Sequence, residues 1–282
     1  MVARLSGALV RAVLIALLVA IPSLVVPTVA TDASQIAFVL SLIVGAMVFF
    51  EYFGRCPSIV EFRYAPPYNR LKFIFLALAV LILSIVMRGL TDPGSWSILL
   101  QGLVGWLGAA LDFPYSPVRL VMLLLPADAA ADQREMVRLS AAVSYALSLV
   151  MVFTFIGIVR LRNWPVRRGA FNMWLNLPLF DPTGGGDVVE RLNRDVGINI
   201  ALGFLLPFLL PGAAMVLSGL FSRSALLDPQ TLIWMTCIWA FVPASMIMRG
   251  IAMNRIADLI TAKRRRAYAR AEAERAEGFQ TV

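Results

Sequence analysis

The sequence predicts an all-α polytopic membrane protein with six transmembrane helices, a re-entrant or interfacial helical hairpin, and both termini in the cytoplasm. Three observations support this prediction. Of the 282 residues, 60% are hydrophobic and only 15% are charged, a balance that water-soluble domains do not have. Six apolar stretches approach the length of a spanning helix. The arginine and lysine residues are distributed unevenly among the segments between these stretches.

Each predicted span is an apolar stretch close to the ~20 residues that cross the hydrocarbon core. The first also resembles a secretory signal, because Arg4 and Arg11 precede an apolar run that ends at Val29. That run is long for a signal core, so we expect a retained helix. The second and sixth stretches are short and need flanking residues to span. The predicted spans are residues 7–29, 36–53, 71–90, 136–159, 197–220 and 232–248.

The arginine and lysine residues set the predicted orientation. With the N-terminus inside, 20 of the 25 basic residues lie on cytoplasmic segments, as the positive-inside rule requires. Residues 1–262 then form the transmembrane domain, with cytoplasmic loops at 54–70 and 160–196. Residues 263–282 form a cytoplasmic helical tail whose charge changes from basic to mixed.

Residues 97–125 are apolar but connect two ends that both face outward in this topology. The stretch "SILLQGLVGWLGAAL" is separated from "VRLVMLLL" by "DFPYSP", and neither half is long enough to span. The two prolines of the middle stretch lack an amide donor, so we expect the helix to break there. We therefore predict a re-entrant hairpin or a helix pair lying in the outer interface. Gly102, Gly105 and Gly108 recur at helical spacing and predict the close approach of a neighbouring helix.

The chain contains no histidine, which removes the usual residue of haem ligation, zinc-protease chemistry and Ser-His-Asp hydrolysis. Cys56 is predicted in a loop and Cys237 in a helix, so we expect no disulfide between them. We predict no cofactor, no metal site and no catalytic residue. An enzyme acting on lipid would need carboxylates such as Glu51, Glu61 or Asp112, which form no pair at a typical spacing. We rank that possibility last.

A pathway for a small solute needs polar or irregular positions within the spans. The candidates are Asp112, Asn199, Pro207 and Pro211. The two prolines qualify because a proline frees a carbonyl one turn earlier and kinks its helix.

Arginine and aromatic residues are concentrated in the two predicted cytoplasmic loops. The segment "EYFGRCPSIVEFRYAPPYNRLK" contains three prolines, and the alternation over residues 58–65 predicts a short extended stretch. Because arginine and aromatic side chains are enriched at protein interfaces, one interpretation is a docking surface for partner proteins. Folding of the two loops against each other explains the pattern equally well. The residues concerned are Arg55, Phe62, Arg63, Tyr64, Tyr68, Arg70, Trp164 and Trp174.

A second set of basic residues is placed to meet anionic lipid headgroups at the inner surface. These residues are Arg167, Arg168, Lys263, Arg264, Arg265 and Arg266. Asp187, with Glu190 three residues later, predicts the capped start of an amphipathic helix lying at this surface before the fifth span. Topology accounts for the basic charge, so we expect no nucleic-acid binding.

These features favour a non-catalytic integral subunit, scaffold or assembly factor of a bacterial inner membrane. Its partners would be other membrane proteins or further copies of itself, together with lipid of the anionic inner leaflet. The alternative is a channel or carrier for a small solute, built from residues 97–125 and the proline-containing fifth helix.

Overall fold

The computed structural model describes residues 2–26, 31–162, 164–165, 172–181, 183–216 and 227–280. These residues form α-helices joined by turns, and none of them lies in a β-strand. The helices are α1 (Val2–Val25), α2 (Thr31–Phe53), α3 (Tyr68–Thr91), α4 (Ser95–Leu111), α5 (Pro117–Met122), α6 (Ala131–Leu161), α7 (Met173–Asn176), α8 (Val188–Val216) and α9 (Pro229–Gln280).

Six of these helices, α1, α2, α3, α6, α8 and α9, are long and apolar enough to cross a membrane. They overlap the six predicted spans, so the prediction of an all-helical, multi-pass membrane protein is confirmed. The start of α8 differs from the prediction. The amphipathic segment after Asp187 is continuous with the fifth span and is not a separate surface helix, because no proline interrupts residues 188–206.

Helices α3, α6, α8 and α9 form the packed core. Helix α9 packs against α8, α6 and α3, and α3 also packs against α6. Leu83, Met151, Leu192 and Met248, one from each of these helices, are fully buried. Among lipid tails such packing stabilises the fold through van der Waals contact, because the tails are as apolar as the side chains.

Small polar side chains lie in the contact between α6 and α9. The Ser144 hydroxyl donates a hydrogen bond to Thr236 Oγ1 at 3.3 Å and lies 3.8 Å from Cys237 Sγ. All three residues are buried. Interhelical hydrogen bonds of this kind contribute ~0.6 kcal/mol on average in a membrane protein. They hold α6 against α9.

Helices α1 and α2 form a hairpin at the edge of the core. Helix α1 packs against α3, whereas α2 packs chiefly against α1. The two approach closely at Gly45, where a Cβ atom would lie 3.2 Å from the carbonyl oxygen of Ala12. The outer face of α2 exposes large apolar side chains: Ile36, Phe38, Val39, Leu40, Leu42, Ile43, Met47 and Phe50.

The chain breaks between α4 and α5, at residues 112–116. Asp112 forms an ion pair with Arg119, with Oδ1 2.8 Å from Nε. Ser116 caps α5, because its hydroxyl oxygen accepts a hydrogen bond from the amide of Arg119 at 3.0 Å. The ion pair and the cap therefore hold the break, although Asp112 Oδ1 itself is buried and accepts no hydrogen bond from the described residues.

The close approach of a neighbouring helix, predicted at three glycines of α4, is correct at one of them. A Cβ on Gly108 would lie 3.3 Å from Leu139 Cδ2, whereas Gly102 and Gly105 have no atom of another element within 4 Å. A three-residue step turns a helix by about 300°, so the three glycines face different directions and one alone meets α6.

Helix α4 begins and ends near the same end of the core. Its first turn adjoins the end of α3, where Ser97 contacts Gly89. Its last turn adjoins the third turn of α6, where Gly108 meets Leu139. Exposed aromatic side chains mark this end of the molecule, namely Trp96, Trp106, Phe113 and Tyr115.

Candidate functional site at the basic end of the helices

Many of the arginine and lysine side chains lie at one end of the core, which we call the basic end. It comprises the first turns of α1, α3 and α8, the last turns of α2 and α6, the segment 54–67, and α9 from Arg249 onward. Contacts between distant segments hold it together. The guanidinium carbon of Arg11 lies 4.8 Å from the ring centre of Tyr52. Arg255 Nε donates to the carbonyl oxygen of Trp164 at 3.2 Å.

Four aromatic side chains form a buried cluster at the basic end. Between ring centres, Phe62 lies 4.5 Å from Tyr68 and 5.7 Å from Trp164. Phe155 lies 5.4 Å from Tyr68 and 5.1 Å from Trp164. The indole N–H of Trp164 donates to the carbonyl oxygen of Ala65 at 3.2 Å. The cluster thus joins the segment 54–67 to α3, to α6 and to the residues that follow α6.

The segment 54–67 is a series of turns, so the predicted extended stretch is wrong. The Glu51 carboxylate accepts hydrogen bonds from three successive backbone amides, those of residues 58–60, at 2.7 to 2.9 Å. The chain curls around this carboxylate, and Phe62 follows with a φ of 54°. Local capture of the amides by Glu51 overrides the alternating pattern, because a strand would need those amides for a neighbouring strand.

Arg63 closes the C-terminal end of α2. Its guanidinium donates to the carbonyl oxygens of Glu51 at 2.6 Å, of Gly54 at 3.1 Å, and of Tyr52. These carbonyls have no partner within the helix, and a cation is favourable there because of the helix dipole. Arg63 is therefore committed to the fold.

Glu61 and Arg249 form an ion pair through two parallel hydrogen bonds. Arg249 Nε lies 2.6 Å from Glu61 Oε2, and Arg249 Nη2 lies 2.9 Å from Glu61 Oε1. Asn176 secures the same turn, since its backbone and side-chain oxygens accept from the amides of Phe62 at 2.6 Å and Tyr64 at 3.0 Å. The two predicted cytoplasmic loops and α9 therefore form one connected unit.

The eight predicted docking residues fall into two groups. Phe62, Tyr68 and Trp164 are buried in the aromatic cluster, and Arg63 caps α2. At Phe62, Tyr68 and Trp164 the loops fold against each other, and these side chains do not form an outer surface. The Arg63 side chain is half-buried. The other four are exposed, namely Arg55, Tyr64, Arg70 and Trp174. Partner docking stays a prediction for those four.

The predicted headgroup-binding residues of α9, 263–266, are all exposed. Arg264 also reaches the start of α8, where its Nη1 lies 2.9 Å from Asp187 Oδ1 and 3.0 Å from Oδ2. The backbone amide of Val189 and the Arg264 guanidinium hold the pKa of Asp187 below its usual range. Arg167 and Arg168 lie outside the described residues.

The predicted pathway positions each have a partner of their own. Asp112 is paired with Arg119, and the Asn199 amide donates to the carbonyl oxygen of Asp195 at 2.8 Å. Pro211 lacks an amide, which frees the carbonyl of Pro207, and the indole N–H of Trp239 donates to that carbonyl at 3.0 Å. These contacts describe packed helices.

A groove that the sequence did not reveal lies beside the basic end, between α1, α2 and α3. Its volume is about 670 Å³, and Arg11, Arg70 and Lys72 are among its lining residues. The sequence contained one signal for it. Arg11 and Lys72 fall inside predicted apolar spans, where a cation is costly and needs a reason.

Among the described residues no three His, Cys, Asp or Glu side chains are grouped so that they could hold a metal ion. The carboxylates of Glu51 and Glu61 are both engaged in holding the segment 54–67. The fold thus defines a helical, multi-pass membrane protein. No protein-family model, curated protein or solved structure matches the chain.

Proposed function

We propose that the protein is a non-catalytic subunit or scaffold of a bacterial inner membrane, and that it holds partner proteins through its C-terminal helix. The observation that carries this proposal is the length of α9, which runs unbroken for 52 residues. At 1.5 Å per residue such a helix is ~78 Å long, whereas the hydrocarbon core is ~30 Å thick. A large part of α9 therefore lies beyond the bilayer.

The projecting part of α9 has the character of a binding element. Every side chain from residue 263 to residue 275 is exposed, including Tyr268. The stretch consists mostly of alanine, arginine and glutamate, which are good helix formers. A solvated helix of this length is marginal by itself, so a partner that covers one face would stabilise it.

The basic end faces the cytoplasm in this proposal, which places both termini there. The positive-inside bias supports that orientation. Residues 263–266 then meet the anionic leaflet, where each cation contributes ~1 kcal/mol to membrane attraction. The exposed residues Arg55, Tyr64, Arg70 and Trp174 lie on the same side and extend the partner surface.

Helices α4 and α5 lie at the outer interface in this proposal, as a helix pair and not as a deep re-entrant hairpin. The contacts of Ser97 with Gly89 near the end of α3 and of Gly108 with Leu139 near the start of α6 support this arrangement. Exposed tryptophan and tyrosine at that end are typical of the membrane–water interface.

The carrier alternative has less support. Gly203 brings α8 so close to α9 that a Cβ there would lie 2.7 Å from the carbonyl oxygen of Pro243. The carbonyl freed by Pro211 is occupied by Trp239. The region where a broken helix could have opened a solute site is filled by contacts between α8 and α9.

Purification of the full chain from its source membrane in a gentle detergent, followed by mass spectrometry, tests the proposal. We expect a partner protein, or a second copy of the chain, at a stoichiometric ratio. Truncation after residue 262 should release that partner while leaving the core folded. Recovery of the full chain as a lone monomer would overturn the proposal.

A matched control separates the surface of the tail from its charge. Replacing Arg265 and Arg266 by lysine keeps the helix and the net charge, and should retain the partner. Exchanging charges within the tip (Arg270→Glu, Glu272→Arg, Glu274→Arg, Arg275→Glu) keeps the net charge and helix formers but changes the pattern. That variant should lose the partner if the tip is recognised.

A further inference from the structure

The groove between α1, α2 and α3 has an apolar wall and a cationic rim. Its volume of about 670 Å³ lies within the range of small-molecule sites in proteins. The apolar wall runs along all three helices and is formed by Val10, Leu14, Ile15, Leu18, Val48 and Phe73. Leu14 is 43% exposed. Such a wall can receive a hydrocarbon chain.

The cationic rim consists of Arg11, Arg70 and Lys72. In the described part of the chain none of the three has a carboxylate within ion-pair distance. Arg11 lies over the ring of Tyr52 at 4.8 Å, and Lys72 Nζ lies 5.3 Å from the ring centre of Tyr68. Ring contacts orient these cations without neutralising them.

The carboxylates of this end are engaged elsewhere. Glu51 binds the amides of residues 58–60, and Glu61 binds Arg249. No described carboxylate therefore forms an ion pair with the rim, and Glu61 attracts Lys72 only from a longer distance. An unneutralised cation beside an apolar wall is costly within a membrane.

Further cations lie around the same rim. A smaller cavity of about 450 Å³ at the start of α1 and the end of α2 is lined by Arg4, Phe53, Gly54 and Arg55. Because Gly7 of α1 and Tyr52 of α2 line the larger cavity, the two cavities lie along the same pair of helices. The positive charge is thus concentrated where a lipid headgroup would lie.

We propose that this groove binds an anionic phospholipid, with its phosphate on the cationic rim and one acyl chain along the apolar wall. A free phosphate would use the rim and leave the wall empty, whereas a neutral lipid would use the wall and leave the cations unpaired. The molecule that complements both parts is an anionic lipid. This site does not include the tail of α9, and it shares only Arg70 with the proposed partner surface.

Native mass spectrometry of the full chain in detergent, titrated with dioleoyl phosphatidylglycerol or dioleoyl phosphatidylcholine, tests this assignment. One phosphatidylglycerol should bind with a preference on the order of 100-fold, because each of the three rim cations is worth about five-fold beside an anionic headgroup. Equal binding of the two lipids by the unaltered chain would overturn the proposal without any variant.

Two variants locate the site. Arg11→Gln with Lys72→Gln should reduce the preference to about five-fold, the contribution of the remaining Arg70. The control Arg270→Gln with Arg275→Gln makes the same charge change in the tip of the tail, away from the headgroups, and should retain the preference. Leu14→Trp places a bulky ring in the apolar wall and should weaken the binding of both lipids. Monodisperse elution and unchanged helical circular dichroism establish that each variant is folded.

A competitor distinguishes a lipid from a free phosphate. Glycerophosphoglycerol carries the headgroup without acyl chains, and it should not displace phosphatidylglycerol at millimolar concentration. Displacement would assign the rim to a soluble phosphate ester and overturn the lipid proposal. Loss of the preference in the tail control but not in the Arg11 and Lys72 variant would overturn it as well.

Discussion

Arg249 of α9 binds Glu61, which lies 188 residues earlier in the chain, through two hydrogen bonds of 2.6 and 2.9 Å. This pair fixes the turn of residues 54–67 against the last long helix. The projecting part of α9 begins 14 residues beyond Arg249, about 21 Å along the helix. The ion pair therefore fastens the base of the element for which we propose a partner-binding role.

Removal of one member of this pair should strongly destabilise the protein. The side chains are only 10% and 21% exposed, so Arg249→Ala leaves a buried, unpaired carboxylate at a cost of about 3–5 kcal/mol. Thermal unfolding in detergent should show a clearly lower unfolding temperature for Arg249→Ala than for the unaltered chain. The double variant Glu61→Gln, Arg249→Gln should lose less stability than Arg249→Ala, because it leaves no buried charge without a partner. An unchanged unfolding temperature in Arg249→Ala would contradict the assignment.

Truncation of the Trp164 side chain should destabilise the protein far more than truncation of the Trp174 side chain. Trp164 is 3% exposed and packs on three rings, whereas Trp174 is 60% exposed. Replacement of a buried aromatic residue by alanine costs about 3–5 kcal/mol, and exposed positions usually stay within ±0.5 kcal/mol. Unfolding of Trp164→Ala and Trp174→Ala under identical conditions measures the difference. Equal losses would contradict the buried cluster.

Hydropathy and charge predicted the six long helices well, because a membrane span depends on composition over ~20 residues and little on distant contacts. The basic end was harder to predict. Phe62 and Trp164 are about a hundred positions apart, and only their tertiary contact decides between an inward cluster and an outward surface. The alternation at 58–65 failed for a similar reason, since Glu51 provides hydrogen-bond partners that no local pattern reveals.

The groove between α1, α2 and α3 also depends on contacts between distant residues and could not be predicted from the sequence. In the sequence, Arg11 and Lys72 are cytoplasmic charges that set the orientation, and no local pattern predicts that they lie on one rim. Helices α1 and α3 bring them together, because α1 packs against α3 with α2 on its other side. A binding site formed between helices depends on that packing.

The hydrogen bond from Trp239 to Pro207 predicts a conditional effect. Trp239→Phe leaves the carbonyl freed by Pro211 without a partner, at a cost of about 1–3 kcal/mol. In a Pro211→Ala background the alanine amide can bond that carbonyl within the helix, so the same change should cost less. Unfolding of the two single variants and the double variant measures the difference. Equal costs in both backgrounds would show that Trp239 acts through packing alone.

The Asp187 carboxylate should make the junction of α8 and α9 sensitive to acid. Its pKa is held below the usual value of about 3.9 by the Val189 amide and by Arg264. A carboxyl group with a lowered folded pKa stabilises the fold at neutral pH, and that contribution is lost as the pH falls from about 4 through the folded pKa. Unfolding temperatures of the unaltered chain and of Asp187→Asn should therefore differ between pH 7 and 5 and converge below pH 4.

Arg264→Gln should narrow this difference in unfolding temperature at neutral pH, because it removes the second of the two stabilising partners. A difference that already shrinks between pH 7 and 5 would mean that the pKa of Asp187 is raised, and would contradict its role as a capped, paired carboxylate.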